Sequence, residues 1–174
     1  IIADFAKVHK DAQFYLKAQS SERVHESIAS QQFDIGFAEN PKNSELYLTK
    51  DFSLETMIAL PDGHPLAKHQ TLTPKNLDGV PICTFLPEHY LTIKLRAAFE
   101  SVDAKLNIPF FLQNSSAQYA IVENGHAAGF MSSLSVWLYQ QNWEMGSRKK
   151  IIFRPFSPLI NQNISLIIPK HRPL

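Results

Sequence analysis

From residue 81 to residue 153 short apolar runs alternate with longer helical stretches, and this alternation limits the fold more than any other feature. Strands are expected over 81–85, 108–113, 127–132 and 150–153, with helices between them over 91–103, 116–124 and 134–143. Repeated strand-helix winding of this kind produces a parallel sheet with helices on both faces. Gly125 follows the second of these helices, where a chain leaving a helix needs a left-handed residue.

A second α/β pattern opens the chain. Ile1, Ile2, Phe5 and Val8 recur at helical spacing, so residues 1–9 are expected to form a helix with one buried stripe. Phe14, Leu16 and Ala18 alternate with Tyr15 and Lys17, the two-residue period of a strand over 14–18. Ser20, Ser21 and Glu22 then supply helix-start chemistry, and Val24 and Ile28 the helix's inner face. The stretch QQFDIGFAENP, residues 31–41, carries the next strand over 33–38, with Asp34 at its start, Gly36 inside it and Pro41 beyond. Asp34 reads as structural, because it lies away from the strand's carboxyl end.

The connection between the two patterns is less regular. Residues 40–45 are polar, 46–52 and 54–60 are strand-like, and Pro61, Asp62 and Gly63 make a turn. Residues 63–67 are too rich in glycine and proline to be regular, and Thr73 followed by Pro74 begins a short helix over 73–77. After Pro155 and Pro158 a last strand is expected over 164–168.

Several kinds of chemistry are disfavoured. With 17 Lys+Arg against 16 Asp+Glu over 174 residues, no basic face is available for coating nucleic acid. The seven histidines form no metal-ligand spacing, so neither a metal nor a cofactor is expected. Cys83 is the only cysteine and sits in an apolar run with no base beside it, so it reads as a core residue and a catalytic role is not expected. No apolar run is long enough to cross a bilayer and the start is no signal peptide, which favours a cytoplasmic protein. The chain opens inside a helix and without a methionine, as a fragment of a longer protein would.

Hydroxyls gather where strands give way to helices, at Ser20-Ser21, Ser115-Ser116 and Ser132-Ser133, with Thr84 near another strand end. Each is explained by ordinary helix capping. Together they also suit a small carboxylate, since helix N-termini attract anions and ligands of open parallel sheets lie at the strands' carboxyl ends.

The stretches FAKVH (5–9), QSSERVHESIASQQFDIGFAE (19–39), LPDGHPLA (60–67), LTPKNLDGVPI (72–82), NSSAQYAIVENGHAAGFMSS (114–133), FRPFSPLI (153–160) and ISLIIPKHRPL (164–174) resemble, in order and spacing, the effector-binding domain of bacterial LysR-type transcriptional regulators. The last two are most similar to the branch that senses opines and basic or dicarboxylic amino acids. The resemblance implies two Rossmann-like α/β lobes joined by two hinge strands, like the type 2 periplasmic binding proteins. It assigns residues 1–39 plus 161–174 to the first lobe and 42–155 to the second, with hinges near 38–42 and 153–160 that include Ala38, Pro41 and Pro155.

By the same resemblance Ser21 matches an effector-contacting hydroxyl, and Ser20, Thr84, Ser115, Ser116 and Phe153 line the inter-lobe cleft. The family's first strand is missing ahead of Ile1, and its winged helix-turn-helix is absent, so DNA would be bound only by the full-length protein. The implied partners are a small-molecule effector and further copies of the chain in a homodimer or homotetramer, with no membrane. Phe5 would pack on the partner's Leu95 and Phe99; the alternative for these three is the chain's own core. A periplasmic solute-binding protein of the same architecture is the rival function.

Overall fold

The computed structural model describes residues 2–41, 44–142 and 150–170. The chain forms two compact units, Ile1–Lys50 with Ser165–Leu174, and Asp51–Ile164.

The first unit contains helices α1 (Ile2–Val8) and α2 (Ser21–Ala29), strand β1 (Gly36–Glu39), and the parts of strands β2 (Tyr47–Pro61) and β7 (Asn161–Pro169) that fall within its bounds. β1 lies beside β7. Ile28 of α2, Ala38 of β1, Tyr47 and Ile167 make a small core, with Val24 and Phe33 against it. α2 ends by a left-handed residue: Gln31, at φ 59°, donates its N–H to Ile28, and Gln32 donates to Ser27.

Two expectations fail in this unit. Residues 14–18 form no strand, and Phe14, Tyr15 and Leu16 stay exposed. Alternating side chains suit a strand, but only a hydrogen-bonding neighbour makes one, and none of the described strands pairs with this segment. α1 forms with its apolar stripe uncovered: Ile2, Phe5 and Val8 are all exposed.

In the second unit, the other part of β2 is joined by strands β3 (Pro81–Thr84), β4 (Asn107–Phe111), β5 (Ala128–Ser132) and β6 (Ile151–Pro155). The intervening helices are α3 (Tyr90–Glu100), α4 (Ser115–Glu123) and α5 (Ser133–Asn142). The wound order is present, but the sheet is mixed. β3 is parallel to β4 and β5, whereas β2 is antiparallel to both β5 and β6. β6 therefore points the same way as β5, and β2 runs against β3, β4, β5 and β6. The two strand-like runs expected over 46–52 and 54–60 are one continuous strand, β2.

Alternation along these strands builds two cores. Ile58, Leu60, Ile82 and Phe130 face Leu91, Leu95, Ala98 and Phe99 of α3. Ala59, Cys83 and Met131 face the other way, towards Val122 of α4 and Val136 and Tyr139 of α5. At Gly129 a Cβ would lie 3.0 Å from Val122 Cγ2, so glycine lets α4 settle on β5. α4 ends as expected at Gly125, φ 73°, whose N–H bonds Val122 while that of His126 bonds Ile121.

Two local readings change here. Residues 73–77 are a turn, not a helix: Leu77 N–H is shared between the carbonyls of Thr73 and Pro74, and Gly79 at φ 70° turns the chain before β3. The glycine- and proline-rich stretch contains a short 3-10 helix, Pro65–Lys68, capped by His64. Arg154 of β6 donates Nε and Nη2 to the Ala67 carbonyl at 3.0 and 2.7 Å, tying this turn to the sheet. Trp143, the expected last residue of α5, lies outside the described residues.

Candidate ligand site at the helix starts

Because β3, β4 and β5 are parallel, their carboxyl ends lie on one side of the second unit, and α4 and α5 begin there. Asn114 caps α4 by accepting the Ala117 N–H at 3.0 Å. The N–H groups of Ser115 and Ser116 remain as first-turn donors, and the two helix starts give the edge a positive local potential.

Three hydroxyls meet at this edge. Ser115 Oγ is 2.8 Å from Ser135 Oγ, which is 3.3 Å from Ser132 Oγ. Two hydrogen bonds use two of the three hydroxyl protons, so one remains for a guest. Tyr119, one turn beyond Ser115, donates its O–H to the Ser135 carbonyl at 2.5 Å. Burial raises the Tyr119 pKa, partly opposed by the Ser135 side chain, which keeps the phenol protonated. Gln118 is fully buried beside them on α4, and neither its Nε2 nor its Oε1 has a hydrogen-bond partner among the described residues.

Ser116 shares the first turn of α4, but its side chain is exposed. Other expected residues lie elsewhere. Thr84 is fully buried against α3: Thr92 gives its proton to the Phe85 carbonyl at 3.0 Å, so Thr84 donates to Thr92 at 3.3 Å. Phe153 packs edge-on against Tyr139 and lines a groove of about 520 Å³ with Met57, Ser133, Val136 and Trp137. Cys83 is buried, and burial pushes its thiol pKa up to about 12, so it is no nucleophile. Pro155 lies inside the second unit, and Ala38 and Pro41 inside the first; the boundary between units falls within β2 and β7. Leu95 and Phe99 occupy their own unit's core, while Phe5 is half exposed.

In the first unit Ser20 caps α2 by accepting the Arg23 N–H at 3.4 Å. Ser21 Oγ accepts the Glu39 N–H at 3.1 Å, and His25, one turn on, bonds the Glu39 carbonyl at 2.8 Å. Two side chains of α2 thus hold both main-chain groups of the residue that ends β1. The Ser21 proton stays available for an acceptor.

Ser135, Gln118 and Tyr119 were missing from the sequence reading. A signal for two of them exists, since Ser115, Gln118 and Tyr119 share the i, i+3, i+4 spacing of one helix face.

Residues 1–174 match the family described as LysR substrate binding domain. The chain belongs to this family. Its relatives include the transcriptional activator protein LysR of Escherichia coli (strain K12), 24% identical over 99% of this chain and 54% of that protein. Another is the octopine catabolism/uptake operon regulatory protein OccR of Rhizobium meliloti, 27% identical over 71% of this chain and 44% of that protein. The chain thus spans about half the length of these curated relatives. Among solved structures, the effector-binding domain of QuiR in complex with shikimate has a TM-score of 0.71 at 15% identity, covering 99% of this chain and 80% of that one. The LysR substrate-binding family therefore supplies the fold, an α/β architecture of the type 2 periplasmic-binding-protein class. Among the described residues no helix is long and apolar enough to cross a membrane, and no metal-binding group of His, Cys, Asp and Glu is found.

Proposed function

We propose that this chain is the sensing part of a cytoplasmic bacterial transcription regulator, which binds a small carboxylate or amino-acid-like metabolite and thereby controls DNA binding by the full-length protein. The observation that carries this reading is the hydroxyl cluster of Ser115, Ser132 and Ser135 at the starts of α4 and α5, with unclaimed helix N–H donors beside it. Shikimate, held by the QuiR domain, and octopine, named for the OccR operon, are both carboxylates and support the class.

The chain acts by binding and not by catalysis. Its one thiol is buried and protonated, and a sensor needs only a difference in affinity between two states. A shift from 1:99 to 99:1 takes about 5.5 kcal/mol of such difference. In the whole regulator, two or four copies associate, covering the exposed Phe5 side of α1, and a separate winged helix-turn-helix reads DNA. The match to a regulator family disfavours the solute-uptake alternative.

A thermal-shift panel of amino acids, octopine, shikimate, malate and other small dicarboxylates tests the proposal. At least one compound is expected to raise the melting temperature saturably, since a ligand at a hundred times its Kd adds about 2.7 kcal/mol. A panel with no response overturns the carboxylate class.

A further inference from the structure

Building on that ligand site, we infer that Gln118 is its specificity-determining residue, selecting carboxylates that also carry a hydroxyl or amino group. Gln118 has no solvent exposure, and both polar atoms of its amide lack a partner among the described residues. Buried amides are normally satisfied, because leaving one unpaired carries the full penalty of removing it from water. Such a group calls for a partner from outside the chain, an ordered water or a ligand.

Its position indicates where that partner comes from. Gln118 lies three residues after Ser115 and directly before Tyr119, both of which hydrogen-bond to Ser135. Residues at i and i+3 share a helix face, and every Cα–Cβ bond of a helix tilts towards its N-terminus. The Gln118 side chain thus leans towards the hydroxyl cluster and the free N–H groups of Ser115 and Ser116. The Gln118 carbonyl takes only a weak contact from Cys83 Sγ at 4.0 Å, and Cys83 belongs with Val122 and Met131 to an apolar core that offers the amide no partner.

An amide presents a donor and an acceptor side by side. Nε2 suits a carboxylate oxygen, whose other oxygen meets the first turn of α4. Oε1 then needs a donor from the same ligand, an O–H or N–H. A bare carboxylate satisfies half of the amide. A hydroxy or amino acid gives both polar atoms a partner, without breaking any bond that Gln118 makes in the fold.

Titration calorimetry on matched pairs tests this: malate with succinate, glutamate with glutarate, and shikimate with cyclohex-1-ene-1-carboxylate. In the wild type the substituted member of a binding pair is expected to bind at least about tenfold more tightly, because a site built to bond a hydroxyl or amine rejects the analogue without it. Gln118→Met keeps the volume and removes both polar atoms. It is expected to fold with an unchanged or raised melting temperature and to bring the two members of that pair within about twofold. Should Gln118→Met not fold, Gln118→Glu keeps the shape and the acceptor but replaces the donor with charge, and weaker binding of both members is expected. Equal affinities within the pairs in the wild type, or discrimination retained in Gln118→Met, overturns the role of Gln118 while the carboxylate site stands. Absence of binding by every compound overturns the site itself, and the inference with it.

Discussion

A Cβ added to Gly36 would lie 2.6 Å from Cγ1 of Val24 and 3.0 Å from Cγ1 of Ile28. The glycine of the Asp-Ile-Gly stretch is therefore there for close approach, since it lets α2 rest directly on β1. Both neighbours are β-branched and stiff, so neither can swing away cheaply. Gly36→Ala is expected to destabilise the chain by about 1–3 kcal/mol, the usual cost of overpacking. Urea unfolding would show this as a lower midpoint with the slope unchanged. A midpoint equal to that of the wild type would mean that α2 and β1 are less tightly packed than described.

The 3-10 helix Pro65–Lys68 depends on a neutral imidazole. His64 Nδ1 accepts the Leu66 N–H at 3.2 Å, which a protonated ring cannot do at that nitrogen. Burial holds the His64 pKa below its ordinary value of about 6.5. The unfolded chain therefore takes up this proton more readily than the folded one. The contribution to stability is complete above about pH 6.5 and declines as the pH falls towards the lowered folded value. His64→Asn retains a capping acceptor without a titrating group. Unfolding midpoints compared at about pH 7.5 and 5.5 should fall less for the variant than for the wild type; parallel losses would exclude His64 as a source.

Cys83 should be chemically silent in the folded chain. Its thiol is fully buried with a pKa of about 12, so almost no thiolate exists near neutrality. A disulfide reagent at about pH 8 is expected to label it only after denaturant is added. Rapid stoichiometric labelling of the native chain would contradict the burial.

Much of the second unit could be read from local pattern. β3 to β6 and α3 to α5 follow from the alternation of short apolar runs with helical stretches, and Gly125 from its place after a helix. What escaped depended on partners distant in sequence. Nothing between residues 14 and 18 says whether a neighbouring strand exists, and Phe14, Tyr15 and Leu16 stand exposed. The reversed direction of β2 is fixed by pairing with β5 and β6 far along the chain. Leu95 and Phe99 show the same limit: helical spacing marks them as apolar, but only packing assigns them to their own core.

The candidate site was legible in part. Ser115 and Ser132 were visible as hydroxyls where strands meet helices, yet their junction is Ser135, recognised only once α4 and α5 are seen to start side by side. Helical spacing puts Gln118 on the face of Ser115, but its significance comes from complete burial with no partner among the described residues, a property of the folded chain.

The most direct measurement is the affinity of wild type and Ser115→Ala for the compound that gives the largest thermal shift, by titration calorimetry, with the melting temperature of each unliganded protein as a control. A hydrogen bond to a charged group contributes about 1.5–3 kcal/mol, so binding at the start of α4 predicts a loss of about tenfold or more in Ser115→Ala. Unchanged affinity in Ser115→Ala, with the fold intact, would place the ligand somewhere other than the start of α4.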